Sequence, residues 1–292
     1  MVVVTDLEYH LETRLVEKLD IMIKRCTNTK NRKDAVLIIE GSEGEGKTNS
    51  SEAIAYYVKT KTNHPINMFF RLEPLLEFAK KTEGQIIIWD EPALDSLSTD
   101  WFRSTNKDLM RLLMTCRKKR HFFIFNFVKF YKFSEYVVVD RALGMIHMYS
   151  RKGVMPGRFQ YIRKKKLEKL FTDYKKKKIR SYKECKSFNG AFPIVENMLD
   201  KMSITIEGTP NCDLKMYEEL KDKAIESIGQ DRTKKENPYY KKFQELKKQI
   251  GQIKCPILTK EQLAERLDVS GRTLLNWRDI NTESDTKEPL LT

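Results

Sequence analysis

Cysteine is sparse in this 292-residue chain: Cys26, Cys116, Cys185, Cys212 and Cys255 are scattered, with no CxxC pair and no regular spacing. A disulfide framework is therefore not what holds the fold, and the thiols read as reduced ones in a cytosol. Histidine is scarcer, at four, and neither His121 nor His147 has a partner at metal-ligand spacing, so each reads as structural. Long apolar runs are missing too. The longest block, Phe122 to Val128, is interrupted by Asn126 and is only strand length, and the opening Met1-Val2-Val3-Val4 soon meets Asp6. Neither a membrane span nor a signal peptide is expected, and the expected location is cytoplasmic. No internal repeat is evident.

Basic charge, by contrast, is plentiful and concentrated. Lys and Arg outnumber Asp and Glu by 55 to 41, and residues 151–186 hold 15 basic against 3 acidic side chains, a surplus of +12 within the chain's net +14. A local field of this kind attracts a polyanion, either nucleic acid or an anionic membrane face. A solvated lysine-rich helix is the plainer alternative.

Apolar spacing outlines the organisation. Leu7, Leu11, Leu15, Leu19 and Ile23 recur every fourth position behind a Thr5-Asp6-Leu7-Glu8 capping box, which predicts an amphipathic helix from residue 5 to about 24. Then Ala35 to Ile39 reads as a buried strand, residues 48–59 as a helix, 66–70 as a strand, 73–80 as a helix and 85–89 as a strand. A helix over 107–118, a strand over 122–127 and a last strand near 143–149 continue the alternation. That pattern predicts an α/β domain with a largely parallel sheet flanked by helices. Beyond a turn at 152–157, residues 158–166 could form a strand, a lysine-rich helix runs from Leu167 to about Cys185, and residues 198–254 read as a helical connector.

The glycine loop Gly41-Ser42-Glu43-Gly44-Glu45-Gly46-Lys47-Thr48-Asn49 sits between a predicted strand and a predicted helix and matches the Walker A pattern of a P-loop. Glycines let backbone N–H groups turn inward around phosphates, and the helix that follows points its positive dipole end at them. Lys47 is expected to reach the β- and γ-phosphates of ATP and Thr48 to coordinate Mg²⁺. Because backbone groups make the phosphate contacts, the acids Glu43 and Glu45 can point away. Some 40 residues on, Gln85-Ile86-Ile87-Ile88-Trp89-Asp90-Glu91 is an apolar strand ending in an acidic pair, as in Walker B. Asp90 is expected in the Mg²⁺ shell and Glu91 as the group that polarises the attacking water.

An Asp-Glu pair followed by a further strand resembles the additional-strand division of P-loop ATPases, which includes the AAA+ and FtsK–HerA motors. That resemblance implies a polar sensor at the end of the next strand, where Asn126 stands among phenylalanines. A hydrogen-bonded core amide is the alternative. Trp89-Asp90-Glu91, Trp101, Lys107, Leu112, Arg117, Phe123-Ile124-Phe125, Phe133 and Arg141-Ala142-Leu143 together look like the Zot-type and archaeal DNA-transfer ATPases, over roughly residues 33–150. Pro92, in place of a small residue, and Asn126, in place of glutamine, depart from that pattern. AAA+ relatives place an arginine near Arg141 that reaches into a neighbour's nucleotide site, so the resemblance makes Arg141 a catalytic group acting between subunits. Arg103 and Arg117 are rivals for that role, and a salt-bridged surface arginine is the alternative.

A second module is expected at the C-terminus. Thr259 to Gln262 is another capping box, and Gln262 to Arg278 fits a helix-turn-helix with Ala264 at the helix crossing and Leu267, Val269, Leu274 and Trp277 as its core. Ser270 would cap the second helix, and Ser270, Arg272, Asn276 and Arg278 are the DNA contacts expected from this module. It resembles the DNA-binding ends of phage terminase small subunits; a hairpin used for oligomerisation is the alternative.

These readings give five segments: an N-terminal amphipathic helix (1–32), a P-loop ATPase core (33–150), a basic extension (151–197), a helical connector (198–254) and a helix-turn-helix module (255–292). Non-specific DNA contacts are expected from Arg163, Lys164, Lys165 and Lys166 with Lys175, Lys176, Lys177 and Lys178. The expected function is that of an ATP-hydrolysing, DNA-binding protein, a ring-forming homo-oligomer such as a hexamer, that translocates, loads or packages DNA for a virus or mobile element. The alternatives are an ATP-dependent DNA-binding switch, acting as regulator or partition protein, and a membrane-associated Zot-like export ATPase.

Overall fold

The structure, a computed structural model, describes residues 2–4, 9–30, 32–90, 99–151, 155–175, 182–192 and 198–230. Two compact units divide the chain, Met1–Glu226 and Ser227–Thr292, and of the second only residues 227–230 are described. The expected helix-turn-helix module therefore lies outside the described residues, as do Glu91 and Lys176, Lys177 and Lys178.

The first unit is built on an eight-stranded sheet. In chain order its described elements are β1 (Val2–Val4), β2 (Tyr9–Leu11), α1 (Thr13–Thr27), β3 (Ala35–Glu40), α2 (Lys47–Thr62), β4 (Ile66–Phe69), α3 (Leu72–Lys81), β5 (Ile86–Asp90) and α4 (Thr99–Thr115). There follow β6 (Phe122–Phe127), a π-helical turn Tyr136–Arg141, β7 (Gly144–Arg151), β8 (Met155–Arg163), α5 (Lys164–Lys175), α6 (Tyr182–Cys185), β9 (Phe188–Ala191), α7 (Met198–Met202), β10 (Ile204–Ile206) and α8 (Leu214–Gln230). The spatial order is β10-β4-β5-β6-β3-β7-β8-β9. From β10 to β7 every pairing is parallel, and β8 and β9 then extend the sheet antiparallel.

Burial on both faces explains why the central strands are continuous apolar runs. Along β3, Ala35, Leu37 and Ile39 face the side covered by α1, α2, α7 and α8, while Val36 and Ile38 face the side covered by α3, α4 and α5. The same two-residue alternation sends Ile88 of β5 to the α2 side and Trp89 to the other, where its ring meets Phe125, Phe127 and Phe133 edge-on at 5.9–6.1 Å. Trp89 Nε1 satisfies its one donor on the Phe70 carbonyl at 3.3 Å.

The N-terminal helix differs from expectation. It starts at Thr13, not Thr5, and its cap is Glu12, whose carboxylate accepts from the Leu15 N–H at 3.1 Å. Tyr9–Leu11 instead pairs antiparallel with Val2–Val4, which takes Leu11 out of the helical repeat. The sheet also continues past residue 150. Strands β8 and β9 come from the segment expected as a basic extension, β10 comes from within the expected connector, and all three lie in the same unit as residues 33–150. No described helix is long and apolar enough to cross a membrane.

Candidate functional site

Parallel sheets gather their loops at the carboxyl ends of the strands, and a crevice opens where neighbouring connections leave toward opposite faces. Here α2 leaves β3 for one face, whereas α4, after β5, packs on the other. Three segments meet at that edge: the glycine loop after β3, Asp90 at the end of β5 and Asn126 near the end of β6. Asp90 and Asn126 are register partners on adjacent strands. Strand parity turns both side chains toward the α2 face, since Trp89, Phe125 and Phe127 occupy the other.

The loop is shaped by close contacts and by left-handed backbone. A Cβ on Gly41 would come within 2.8 Å of the Met148 carbonyl oxygen on β7, so that position tolerates no side chain. Gly44 and Gly46 have φ of +78° and +86°, a region that favours glycine, and Gly46 immediately precedes α2. Lys47 Nζ donates to the Gly41 and Ser42 carbonyls at 2.8 and 2.7 Å, folding the side chain over the loop. Burial pushes the Lys47 pKa down, while Asp90, Glu40 and Glu43 pull it up. One of the loop's two acids is committed to the fold. Glu45 Oε2 accepts from Ser150 Oγ at 2.6 Å, and the Glu45 carbonyl accepts from the Gly157 N–H at 3.3 Å, so this residue is stitched to β7 and β8.

Asp90 is the hub. Thr48 Oγ1 lies 3.3 and 3.2 Å from its two carboxylate oxygens, and Asn126 Nδ2 donates to Oδ1 at 2.8 Å. The same Asn126 nitrogen also lies 3.1 Å from Ser51 Oγ, and Asn126 Oδ1, itself buried, has no hydrogen-bond partner among the described residues. On the other carboxylate oxygen, Tyr217 OH donates at 2.8 Å and Lys221 Nζ lies 3.4 Å away. Glu52, one helical turn beyond Thr48, is buried, and its pKa is pushed up to about 8, first by burial and then by Asp90. Both causes disfavour a second negative charge beside Asp90.

The structure thus brings Gly41, Lys47, Thr48, Asp90 and Asn126 together. It does not bring Arg141 to them. Arg141, in the π-helical turn, pairs with Asp34, the residue before β3, at the strand end away from the loop. Six residues of β3, roughly 20 Å at about 3.3 Å each, separate the two ends. Arg117 lies in a 3-10 turn that precedes β6, at the same far edge. Of the expected DNA contacts, Arg163 and Lys165 are exposed, Lys164 and Lys166 donate to the Asp140 and Lys186 carbonyls at 2.6 Å each, and Lys175 pairs with Glu135 at 2.5 Å.

Ser51, Glu52, Tyr217 and Lys221 were not singled out by sequence. A polar run Ser50-Ser51-Glu52 at buried positions of α2 is a signal that could have found the first two. Tyr217 and Lys221 meet Asp90 from 127 and 131 residues away, which no local pattern encodes.

The donor set is also informative about a metal. Among the described residues no group of three or more His, Cys, Asp or Glu side chains could cage an ion. One hydroxyl and one carboxylate, Thr48 and Asp90, fit Mg²⁺, which keeps most of its shell as water or substrate phosphate oxygens. Comparison with known protein families finds no family model that matches the chain, and comparison with curated proteins finds no match.

Proposed function

We propose that this protein is a P-loop ATPase of the additional-strand type that handles DNA, a ring-forming motor that translocates, loads or packages it. The carrying observation is the convergence of Lys47, Thr48, Asp90 and Asn126 at one sheet edge, with β6, the strand that bears Asn126, lying between β5 and β3. In the additional-strand division that the chain resembles, the strand after the Asp-Glu pair ends in a polar sensor residue, as β6 does with Asn126 near its end. In this reading the backbone N–H groups of residues 42–48 and the Lys47 ammonium bind the phosphates, while Thr48 and Asp90 hold Mg²⁺. The metal supplies charge neutralisation of the phosphate oxygens. Asn126 fixes the Asp90 carboxylate through Nδ2 and leaves Oδ1 as an acceptor beside it, which suits a group that orients water. Glu91 is the proposed general base.

DNA enters the reading through charge. Arg163, Lys164, Lys165 and Lys169 are exposed at the β8–α5 junction, on the same compact unit as the nucleotide site, with the Lys164 ammonium also donating to the Asp140 carbonyl. Phosphate contacts of this kind position a protein on DNA without reading sequence. Arg272, Asn276 and Arg278 of the proposed helix-turn-helix would supply the base contacts.

The deciding experiment measures ATP hydrolysis by the full-length protein with and without duplex DNA, alongside Lys47→Ala and Glu91→Gln. Expected are DNA-stimulated turnover in the wild type, loss of nucleotide binding in Lys47→Ala, and binding without turnover in Glu91→Gln. Wild-type turnover by Glu91→Gln overturns the general-base assignment. Slow turnover indifferent to DNA favours the switch over the motor.

A further inference from the structure

Helix α8 sends two side chains, one turn apart, to Asp90. Tyr217 is the fixed one. Its ring is buried and meets Phe70 edge-on at 5.4 Å, and Ala224 farther along α8 is buried as well. With its hydroxyl on Asp90 Oδ2, it pins the helix against the sheet beside the glycine loop. Lys221 is the movable one. Its ammonium donates to Tyr217 OH at 2.8 Å and sits 3.4 Å from Asp90, yet a third of the side chain, 33%, is exposed.

Two lysines converge on this place. Two ammonium groups, Lys47 and Lys221, act on each other and share the Asp90 carboxylate, while Glu40 and Glu43 act on Lys47 as well. Lys47 shares its protons with loop carbonyls, and Lys221 shares its own with a carboxylate and a phenol. Two ammonium groups beside one glycine loop suit a ligand that carries several anionic oxygens. A divalent cation on Thr48 and Asp90 would repel the Lys221 ammonium from its carboxylate, and the flexible four-carbon stem lets that ammonium seek other oxygens nearby.

We propose that Lys221 is a second phosphate-binding lysine of this site, supplied by α8, and that it exchanges Asp90 for a phosphate oxygen when a magnesium nucleotide binds. The proposal rests on the nucleotide-site reading above. It assigns Tyr217 as the positioning residue that holds α8 and the Asp90 carboxylate in place, and Lys221 as the group that meets the ligand.

The test is equilibrium binding of ATP and of ADP, each with Mg²⁺, to the full-length wild type, Lys221→Ala, Lys221→Gln, Lys221→Arg and Lys47→Ala, with the unfolding midpoint of each variant as a control. A charge-assisted hydrogen bond to phosphate predicts that Lys221→Ala and Lys221→Gln bind Mg·ATP about tenfold or more weakly, and that Lys221→Arg recovers most of the loss. The ratio of the ATP loss to the ADP loss reports which phosphate is met. Unchanged affinity in both neutral variants overturns the proposal, since Lys221 would then serve Asp90 alone. Tighter binding overturns it as well, since Lys221 would then be an obstruction. Wild-type protein that binds neither nucleotide overturns the underlying site reading too, whereas binding that is lost only in Lys47→Ala leaves that reading standing and rejects Lys221.

Discussion

Arg141 and Asp34 form a buried ion pair across 107 residues of chain, the guanidinium donating to the carboxylate at the base of β3. The Asp34 side chain is 1% exposed, and burial raises its pKa even though Arg141 and Arg25 pull it down. Removing one partner of such a pair strands a charge, so Arg141→Ala is expected to cost roughly 3–5 kcal/mol in urea unfolding. Asp34→Asn combined with Arg141→Ala should recover a large part of that, because no charge is then left unpaired. The double variant also provides a folded carrier for a test between subunits. If Arg141 serves a neighbour's site, the double variant should be inactive alone and regain ATPase activity when mixed with Lys47→Ala protein; if the pair with Asp34 is its whole role, the double variant should hydrolyse ATP on its own.

Asn126 bridges Asp90 and Ser51 through one amide nitrogen. Asn126→Ala leaves a buried carboxylate oxygen short of a donor, a loss of about 1–3 kcal/mol by unfolding. Asn126→Asp should be worse above neutral pH, because it sets a second carboxylate against Asp90. A variant Asn126→Ala as stable as wild type would show that Thr48, Tyr217 and Lys221 suffice to satisfy Asp90.

His121 offers a pH signature unrelated to the site. Its Nδ1 accepts from the Gln85 N–H at 3.2 Å, so Nε2 carries the proton and donates to the Ala79 carbonyl at 3.0 Å. The ring is fully buried, and burial lowers its pKa to about 4 from an ordinary 6.5. The unfolded chain therefore takes up a proton that the folded chain refuses as pH falls through 6.5. This contribution to stability is complete above about pH 6.5 and is lost between there and about pH 4, on the order of 3 kcal/mol in total. Subtracting the pH profile of His121→Gln from that of the wild type isolates it, and parallel profiles would show that the ring is accommodated charged.

Neutralising Arg163, Lys165 and Lys169 together should lower the salt dependence of DNA binding, with the slope of log affinity against log salt falling by up to about 0.9 for each phosphate that is no longer neutralised. All three are exposed, so stability should hardly change. An unaltered slope would make this face a solvated one.

Much of the core was legible because buried parallel strands leave a plain signature. Ala35 to Ile39, Ile86 to Trp89 and Phe122 to Phe127 are apolar on both faces, and each is a central strand. What misled was local pattern without its tertiary partner. Leu7 and Leu11 continue the four-residue spacing of α1, yet Leu11 pairs with Val2 in a strand. The short strands Phe188–Ala191 and Ile204–Ile206 have too few residues to show a period, and their partners, Arg158–Tyr161 and Ile66–Met68, lie far off in sequence. At the site, the glycine loop, Asp90 and Asn126 were readable from spacing. Tyr217 and Lys221 were not, since only the closing of β10 beside β4 brings α8 to the same edge.

The tether between Glu45 and the β7–β8 hairpin has a calorimetric consequence. With Ser150 holding its carboxylate and Gly157 its carbonyl, the loop is already ordered before any anion arrives. Ordering of that segment then belongs to folding, and the heat and entropy of ligand capture should reflect phosphate desolvation and contact with little added from chain freezing. Cutting the tether with Ser150→Ala should shift the same capture toward a more unfavourable entropy, a difference that titration calorimetry resolves even where the free energy barely moves.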